Sequence, residues 1–343
     1  MKVRDYATIF ISVFLLFYLF YLGESFFVPF LIAVVLWYLI ITIADGFKMI
    51  RIKNRDVSHA VAMGLSILTL IVLFSVFVSL VNSNIGKVIT LTPIYQKRLV
   101  IITNNFIHRI GMNETLGFKE IIESVNMTDV LKSLTGVIKK VTSDAGIIFI
   151  YTLFLLLEYR VFKEKLGLVF LNKEKYDGFM RGIERINQDI KTYVKIKSSA
   201  SLIIGVLCFM VMQAVGLDLA VFWALLIFVL NFIPTIGPVI AICFPILLSL
   251  VQFDSLLPFF IISILLIIIQ AVIGSILEPR FMGKSLNLSP LVIILSLAIW
   301  GSIWGIVGMF LCIPIMVILN IILAKFEKTR AIAIMLSAHG IVD

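Results

Sequence analysis

The segment LNFIPTIGP, residues 230–238, interrupts an apolar block at residues 219–251. The block is 33 residues long, whereas a helix needs only about 20 apolar residues to cross a bilayer. Pro234 and Pro238 each lack the backbone N–H that a helix uses, and the residues before them avoid helical angles. The sequence therefore predicts that one helix ends in this stretch and another begins after it.

A second apolar block, residues 290–324, is 35 residues long and is interrupted in a similar way by GSIWGIVG at residues 301–308. Broken backbone at membrane depth is tolerated only where protein or a water-filled cavity satisfies its polar groups. We therefore predict that each block folds as a re-entrant helical hairpin, and that the two hairpins are inverted relative to each other. The alternative is that Pro and Gly merely kink two long, tilted helices. Two interrupted segments of matching length are typical of the substrate site of a secondary transporter.

The composition points to a helical membrane protein. Of the 343 residues, 61% are hydrophobic and 14% are charged, whereas a soluble domain is about half apolar and about a quarter charged. This excludes a soluble enzyme, a disordered chain and a disulfide-rich secreted module. The 82 residues between Lys197 and Arg280 contain no Lys or Arg. Basic residues beside the membrane explain the net charge of +9, so we expect no nucleic-acid partner.

The predicted fold is all-α and polytopic, with about eight membrane segments, counting the two hairpins, and a small extracytoplasmic subdomain. Along the chain we expect three N-terminal transmembrane helices (1–82), an extracytoplasmic helical subdomain (83–143), transmembrane helix 4 (144–159), a cytoplasmic amphipathic helix region (160–198), a transport core with both broken segments (199–325) and a cytoplasmic tail (326–343). The amphipathic helix is expected to lie on the membrane surface or on the protein's own cytoplasmic face, with an oligomerisation seam as the alternative. The basic loops place both termini in the cytoplasm, with the chain in the inner (plasma) membrane.

Two motifs of this sequence resemble those of a known family. They are LNFIPTIGP, quoted above, and LEPRFMGKSLNLSP at residues 277–290. Together they resemble the AI-2E family, the autoinducer-2 exporter-like membrane proteins, over about residues 185–325. The resemblance implies export of a small signalling solute of the quorum-sensing type. It also implies a homo-oligomer, and sodium/proton antiport in some members.

The candidate residues for substrate binding or gating lie in these two motifs. They are Asn231, Pro234, Thr235, Gly237, Pro238, Glu278, Pro279, Arg280 and Gly283. Asn231 is an amide in an apolar block and needs hydrogen-bond partners, so it either binds a polar solute or ties the turn together. Glu278 and Arg280 form either a gating or coupling pair or an ion pair that closes a helix end. Ion coupling needs an acid, for which Glu278 is the first candidate and Asp254 the second.

The sequence predicts a transporter and no enzyme. It contains no metalloprotease, Walker A or nucleophile-elbow motif, so we expect no catalytic residues, no metal site and no cofactor. The expected partners are the lipid bilayer and either a small polar solute or a monovalent cation. We predict a secondary transporter that exports a small polar solute such as autoinducer-2. The alternatives are a sodium/proton antiporter on the same scaffold and a non-transporting membrane scaffold, which would have no need for the broken helices.

Overall fold

The computed structural model describes residues 3–49, 51–52, 55–110, 136, 139–169, 173–283 and 287–340. In chain order the elements are α1 (Val3–Leu22), α2 (Glu24–Lys48), β1 (Arg51–Ile52), β2 (Arg55–Asp56), α3 (His59–Ile110), α4 (Ala145–Val169), α5 (Lys173–Val215), α6 (Ala220–Leu230), α7 (Ile236–Gln252), α8 (Leu256–Ile269), a π-helical segment (Gln270–Leu277), α9 (Glu278–Met282), α10 (Pro290–Lys325) and α11 (Glu327–Leu336). The predicted helical fold is confirmed in these residues, apart from the short antiparallel pairing of β1 with β2.

Several helices have the length and apolar composition to cross a membrane. Within the described residues these are Glu24–Lys48, His59–Asn84, Tyr176–Val215, Leu256–Met282 and Pro290–Lys325, and shorter apolar helices include Ala145–Glu158, Ala220–Leu230 and Ile236–Gln252. Large apolar side chains such as Leu68 on α3 and Leu257 on α8 are exposed on these helices, as expected of surfaces that face lipid. The chain is therefore a multi-pass helical membrane protein. The number of membrane segments remains a prediction.

Two helices run past the boundaries that hydropathy suggested. The 52 residues of α3 continue through residue 82, where the third span was expected to end. Likewise α5 passes without a break through the expected boundary at 198/199. Hydropathy marks a change of solvent, whereas a helix ends only where its backbone hydrogen bonding ends, so the two boundaries need not coincide. Most of the predicted subdomain beyond α3, residues 111–135, lies outside the described residues.

The chain divides into two compact units, each described here by itself. Unit 1 consists of Met1–Ser66, Val141–Lys195 and Met282–Asp343, and unit 2 consists of Ile67–Lys140 and Ile196–Phe281. Unit 1 contains α1, α2, α4, α10 and α11. Unit 2 contains most of α3, the second part of α5, and the chain from α6 through the π-helical segment.

In unit 1, two polar side chains on the first part of α5 contact α2. Ile190, on the same part of α5, is buried. The Tyr38 hydroxyl of α2 donates a hydrogen bond to Asn187 Oδ1 over 2.5 Å, and Lys191 forms an ion pair with Asp45. These contacts place the first part of α5 beside α2 within unit 1, and the surface on which the amphipathic helix lies stays a prediction.

Unit 1 also contains the interruption within α10, where the chain doubles back. The backbone leaves helical geometry at Trp304 (φ −124°, ψ 15°) and Gly305 (φ 61°, ψ −140°). Gly308 then approaches so closely that a Cβ there would lie 1.9 Å from the carbonyl oxygen of Trp300. In a continuous helix, two residues eight positions apart are separated by about 12 Å. We call residues 300–309 the aromatic turn.

Candidate functional site

In unit 2, α6 and α7 form an antiparallel helical hairpin. Near its middle, the rings of Trp223 on α6 and Phe244 on α7 stack with centroids 6.0 Å apart. At its open end, the Gln252 side chain accepts a hydrogen bond from the Asp218 backbone N–H at 2.8 Å and donates one to the Gly216 carbonyl at 2.9 Å. These contacts hold the start of α6 beside the end of α7.

The turn between α6 and α7 is tight and strained. Thr235 has φ 59° and ψ −59°, and the Ile236 N–H donates to the Pro234 carbonyl over 2.6 Å, which together define a γ-turn of the rare, strained form. A Cβ on Gly237 would lie 2.0 Å from the Leu230 carbonyl oxygen, so only glycine fits there. We call residues 230–237 the polar turn. Strained backbone of this kind is concentrated at functional sites.

Asn231, at the start of the polar turn, is the centre of a buried hydrogen-bonded chain. Only 1% of its surface is exposed. Its Nδ2 donates to Ser201 Oγ of α5 at 2.9 Å, and its Oδ1 accepts from Gln270 Nε2 of the π-helical segment at 3.2 Å. Gln270 Oε1 is buried and has no hydrogen-bond partner among the described residues. The polar chain (Ser201, Asn231 and Gln270) therefore ends in an unused acceptor.

Small residues bring the members of the polar chain together. On α5, Gly205 lies one turn after Ser201, and a Cβ there would be 3.3 Å from the Ala224 carbonyl of α6. On the π-helical segment, the Gln270 amide folds over Gly274, with its nitrogen 2.5 Å from where a Cβ would stand. A π-helix is rare, and such segments are often found at functional sites.

Glu278 forms an ion pair with a residue that the sequence did not suggest. Its Oε1 lies 2.6 Å from Lys197 Nζ of α5, and the two side chains are only 10% and 8% exposed. Glu278 Oε2 is buried and has no partner in the described part of the chain. Pro279, Arg280 and Gly283 are exposed. The expected pairing of Glu278 with Arg280 is thus replaced by one across 81 residues of sequence.

The other predicted residues are spread over different environments. At the polar turn Pro234 is buried, Pro238 is half-buried and the Thr235 side chain is exposed. Asp254 is exposed in the short connection between α7 and α8. It is separated from Glu278 by 24 residues of nearly continuous helix, which corresponds to roughly 35 Å. The structure therefore does not bring the two candidate coupling acids together.

Sequence reasoning did not select Lys197, Ser201 or Gln270 for the site. In sequence, Gln270 is typical of residues that hydrogen-bond between helices, and Lys197 is the last basic residue of the region expected in the cytoplasm. A signal was present, because Lys197 directly precedes the long stretch without Lys or Arg that ends just after Glu278. Such a position places a charge at the edge of the apolar core.

Comparison with known proteins agrees with this architecture. The family model for AI-2E family transporters matches residues 9–328, nearly the whole chain. The chain belongs to the AI-2E transporter family. This AI-2E protein is 31% identical over 291 residues to a candidate transport protein of Haemophilus influenzae, covering 82% of this chain and 83% of the relative. It is 32% identical over 256 residues to a candidate transport protein of Borreliella burgdorferi, covering 73% and 69%.

A third relative of this AI-2E protein has a more specific name. The AI-2 transport protein TqsA of Escherichia coli is 38% identical over 158 residues, which is 46% of each chain. The family and these relatives support a general role in transport. The solute in the name of TqsA, AI-2, is stated for that relative.

Proposed function

We propose that this protein is a secondary transporter that exports a small polar solute such as autoinducer-2, and that the solute passes the polar chain beside the polar turn. The observation that carries the proposal is the buried amide of Asn231, which is bonded to two other elements at a break between helices. Interrupted helices of this kind form substrate sites in other secondary transporters.

The chemistry of the polar chain suits an uncharged solute with hydroxyl groups. Gln270 Oε1, which has no partner in the described part of the chain, can accept a hydrogen bond from a hydroxyl of the solute. The second N–H of Asn231 Nδ2 can donate to an oxygen of the solute, because Ser201 uses only one of the two. Such bonds replace those that the solute loses when it leaves water. For this role, we propose that the α6–α7 hairpin re-enters the membrane.

Efflux of labelled autoinducer-2 precursor from sealed liposomes that contain the purified protein tests the proposal. We expect Asn231→Ala and Gln270→Ala to lower the protein-dependent efflux rate by about tenfold. Each change removes a buried partner that a solute would need, and a loss of about 1–3 kcal/mol corresponds to roughly five- to 150-fold.

Two matched variants control for the amide chemistry itself. Among the described residues, Asn84 on α3 donates only to the Leu80 carbonyl of its own helix and to neighbouring Ser83. The Gln213 side chain on α5 is exposed. Asn84→Ala and Gln213→Ala are expected to keep wild-type efflux. Equal efflux rates from all four variants would contradict the proposed route. Efflux from wild-type liposomes that is no faster than from liposomes without protein would contradict the proposed substrate.

We also propose a homo-oligomer in the inner (plasma) membrane with both termini in the cytoplasm. The placement of Lys and Arg supports the orientation, and the family resemblance supports the oligomer. Labelling of single cysteines introduced at residues 3 and 340 with an impermeant reagent tests the orientation. Native mass spectrometry tests the assembly, and a monomer or externally labelled termini would contradict these points.

A further inference from the structure

The ion pair of Lys197 with Glu278 is distinct from the polar chain in chemistry. Its two charges lie 2.6 Å apart, and both side chains are about nine-tenths buried. Because the charges have opposite sign, the pair is electrically neutral as a unit. The attraction within a buried ion pair repays the cost of removing both charges from water only if further hydrogen bonds satisfy the remaining donors and acceptors.

Within the described residues, each member of the pair has a hydrogen-bond donor or acceptor that the pair itself does not use. Glu278 Oε2 is buried without a partner in the described residues. The Lys197 ammonium has three N–H donors, and the hydrogen bond to Glu278 uses one of them. Within the described residues, the pair therefore presents one free acceptor, Glu278 Oε2, next to two free N–H donors of Lys197. A dipolar, uncharged group such as a hydroxyl or an amide can use both kinds of position together.

A monovalent cation meets a different environment at the same place. A sodium ion on Glu278 Oε2 would lie within about 6 Å of the Lys197 ammonium, where a like charge opposes it. The negative charge of the Glu278 carboxylate is already balanced by the positive charge of Lys197. With Lys197 present, the Glu278 carboxylate is a poor ligand for a cation. Without Lys197, the same carboxylate would be buried with no positive charge beside it.

We propose that Lys197 determines the charge specificity of this site, because it neutralises Glu278 and so favours an uncharged hydrogen-bonding group over Na⁺. Lys197 acts through Glu278 and is therefore a positioning residue. The proposal rests on the proposed transport function and extends it to the class of solute that the site accepts. It also bears on Glu278 as a coupling residue, since a carboxylate held by lysine is not free to bind the coupling cation.

Sodium binding to the purified full-length protein tests this directly. Thermal melting in detergent is measured in NaCl and in choline chloride of equal ionic strength, and ²²Na⁺ uptake is measured in liposomes. We expect the wild type to melt at the same temperature in both salts. Lys197→Gln should be stabilised by sodium and should take up ²²Na⁺ at least about tenfold faster than the wild type. The double variant Lys197→Gln/Glu278→Gln should lose both responses.

Two further variants separate the lysine charge from a structural role. Lys195→Gln removes an exposed lysine two residues earlier on the same helix and should behave as the wild type. Lys197→Arg keeps the positive charge and should remain insensitive to sodium. If Lys197→Gln does not fold, the wild type and Lys197→Arg still decide: insensitivity of both to sodium supports the proposal. Sodium stabilisation of the wild type that Glu278→Gln abolishes would overturn it.

The experiment distinguishes failure of this inference from failure of the proposed function. Folded Lys197→Gln protein that does not respond to sodium would overturn the role of Lys197, even if the wild type exports the polar solute. Absence of solute efflux in the wild type would count against the transport proposal. A sodium response that appears only in Lys197→Gln would still support the role of the lysine.

Discussion

The polar turn and the aromatic turn reverse the chain through the same close approach of a glycine to a backbone carbonyl. The side chains that contact the two turns differ in chemistry. In each, a glycine seven or eight residues after a carbonyl approaches it too closely for any side chain. The Cβ positions would lie 2.0 Å from the Leu230 oxygen at Gly237, and 1.9 Å from the Trp300 oxygen at Gly308. Both reversals thus depend on the missing side chain of one glycine.

The two turns differ in the side chains that contact them. At the aromatic turn, the rings of Trp300 and Trp304 lie 4.9 Å apart, Phe20 of α1 packs edge-on against both, and Trp304 Nε1 donates to the Phe20 carbonyl at 3.0 Å. At the polar turn, Asn231 is hydrogen-bonded to the Ser201 hydroxyl and to the Gln270 amide. A helix break alone therefore does not distinguish a solute site from an anchor. The proposed site differs from the aromatic turn in its polar chain, which ends in Gln270 Oε1 without a partner among the described residues. We interpret the aromatic turn as an anchor and the polar turn as the site.

The largest expected contrast comes from one substitution in each turn. Trp304→Ala should lower the free energy of unfolding by about 3–5 kcal/mol, because it removes a buried aromatic side chain, while efflux per folded molecule stays near the wild-type rate. Asn231→Ala should lower stability by only about 1–2 kcal/mol but should abolish most efflux. Denaturant unfolding in micelles and liposome efflux measure the two quantities on the same preparations.

An exposed aromatic residue provides the control for this contrast. Phe10 on α1 is 74% exposed, so Phe10→Ala should change neither quantity much. If Trp304→Ala left stability intact but stopped efflux, the aromatic turn would belong to the transport route, and the distinction between anchor and site would fail.

An intermediate effect is expected where the two turns are alike. Gly237→Ala and Gly308→Ala should each lower the free energy of unfolding by about 2–3 kcal/mol, because the added methyl group overlaps a backbone carbonyl that cannot rotate away. Gly64→Ala on α3 is the control, since nothing lies within 4 Å of its Cβ position. If only one of the two variants is destabilised, the turns do not share one backbone device.

The smallest expected effect comes from a substitution that disturbs only the polar chain. In Gly274→Ala the new methyl group displaces only the flexible amide of Gln270, so stability should change by less than about 1 kcal/mol. Efflux should fall by about threefold, because the Gln270–Asn231 hydrogen bond is weakened. Efflux of Gly274→Ala is compared with that of Gly64→Ala, and equal rates would remove Gln270 from the proposed route.

The helix breaks were accessible from sequence because proline and glycine act locally. Pro234 cannot donate a backbone hydrogen bond in any context, and the structure ends α6 and begins α7 on either side of it. Gly305 similarly allows a positive φ that other residues avoid. The strained conformation of Thr235 was not predictable, since threonine has no intrinsic preference for it and the surrounding contacts impose it.

The members of the candidate site were only partly predictable for a related reason. Asn231 and Glu278 stand out in sequence as polar residues at a break and at a membrane boundary. Their partners, Gln270 and Lys197, do not, because a pairing across 39 or 81 residues depends on how helices pack. The π-helical segment that presents Gln270 also has no signature in hydropathy, because residues 256–277 form one apolar block in which Gln270 and two serines are the only polar side chains.

The amino-acid sequence alone predicts that this protein is helical, that it lies in a membrane, and where two of its long apolar blocks are interrupted. These predictions follow from side-chain hydropathy and from the backbone chemistry of proline and glycine, which act over a few residues. The pairing of Glu278 with Lys197, and the bonding of Asn231 to both Ser201 and Gln270, emerge only from the packing of the helices. The reason is physical: a buried polar group must find whichever partner packing brings within about 3 Å, and sequence distance does not constrain that choice.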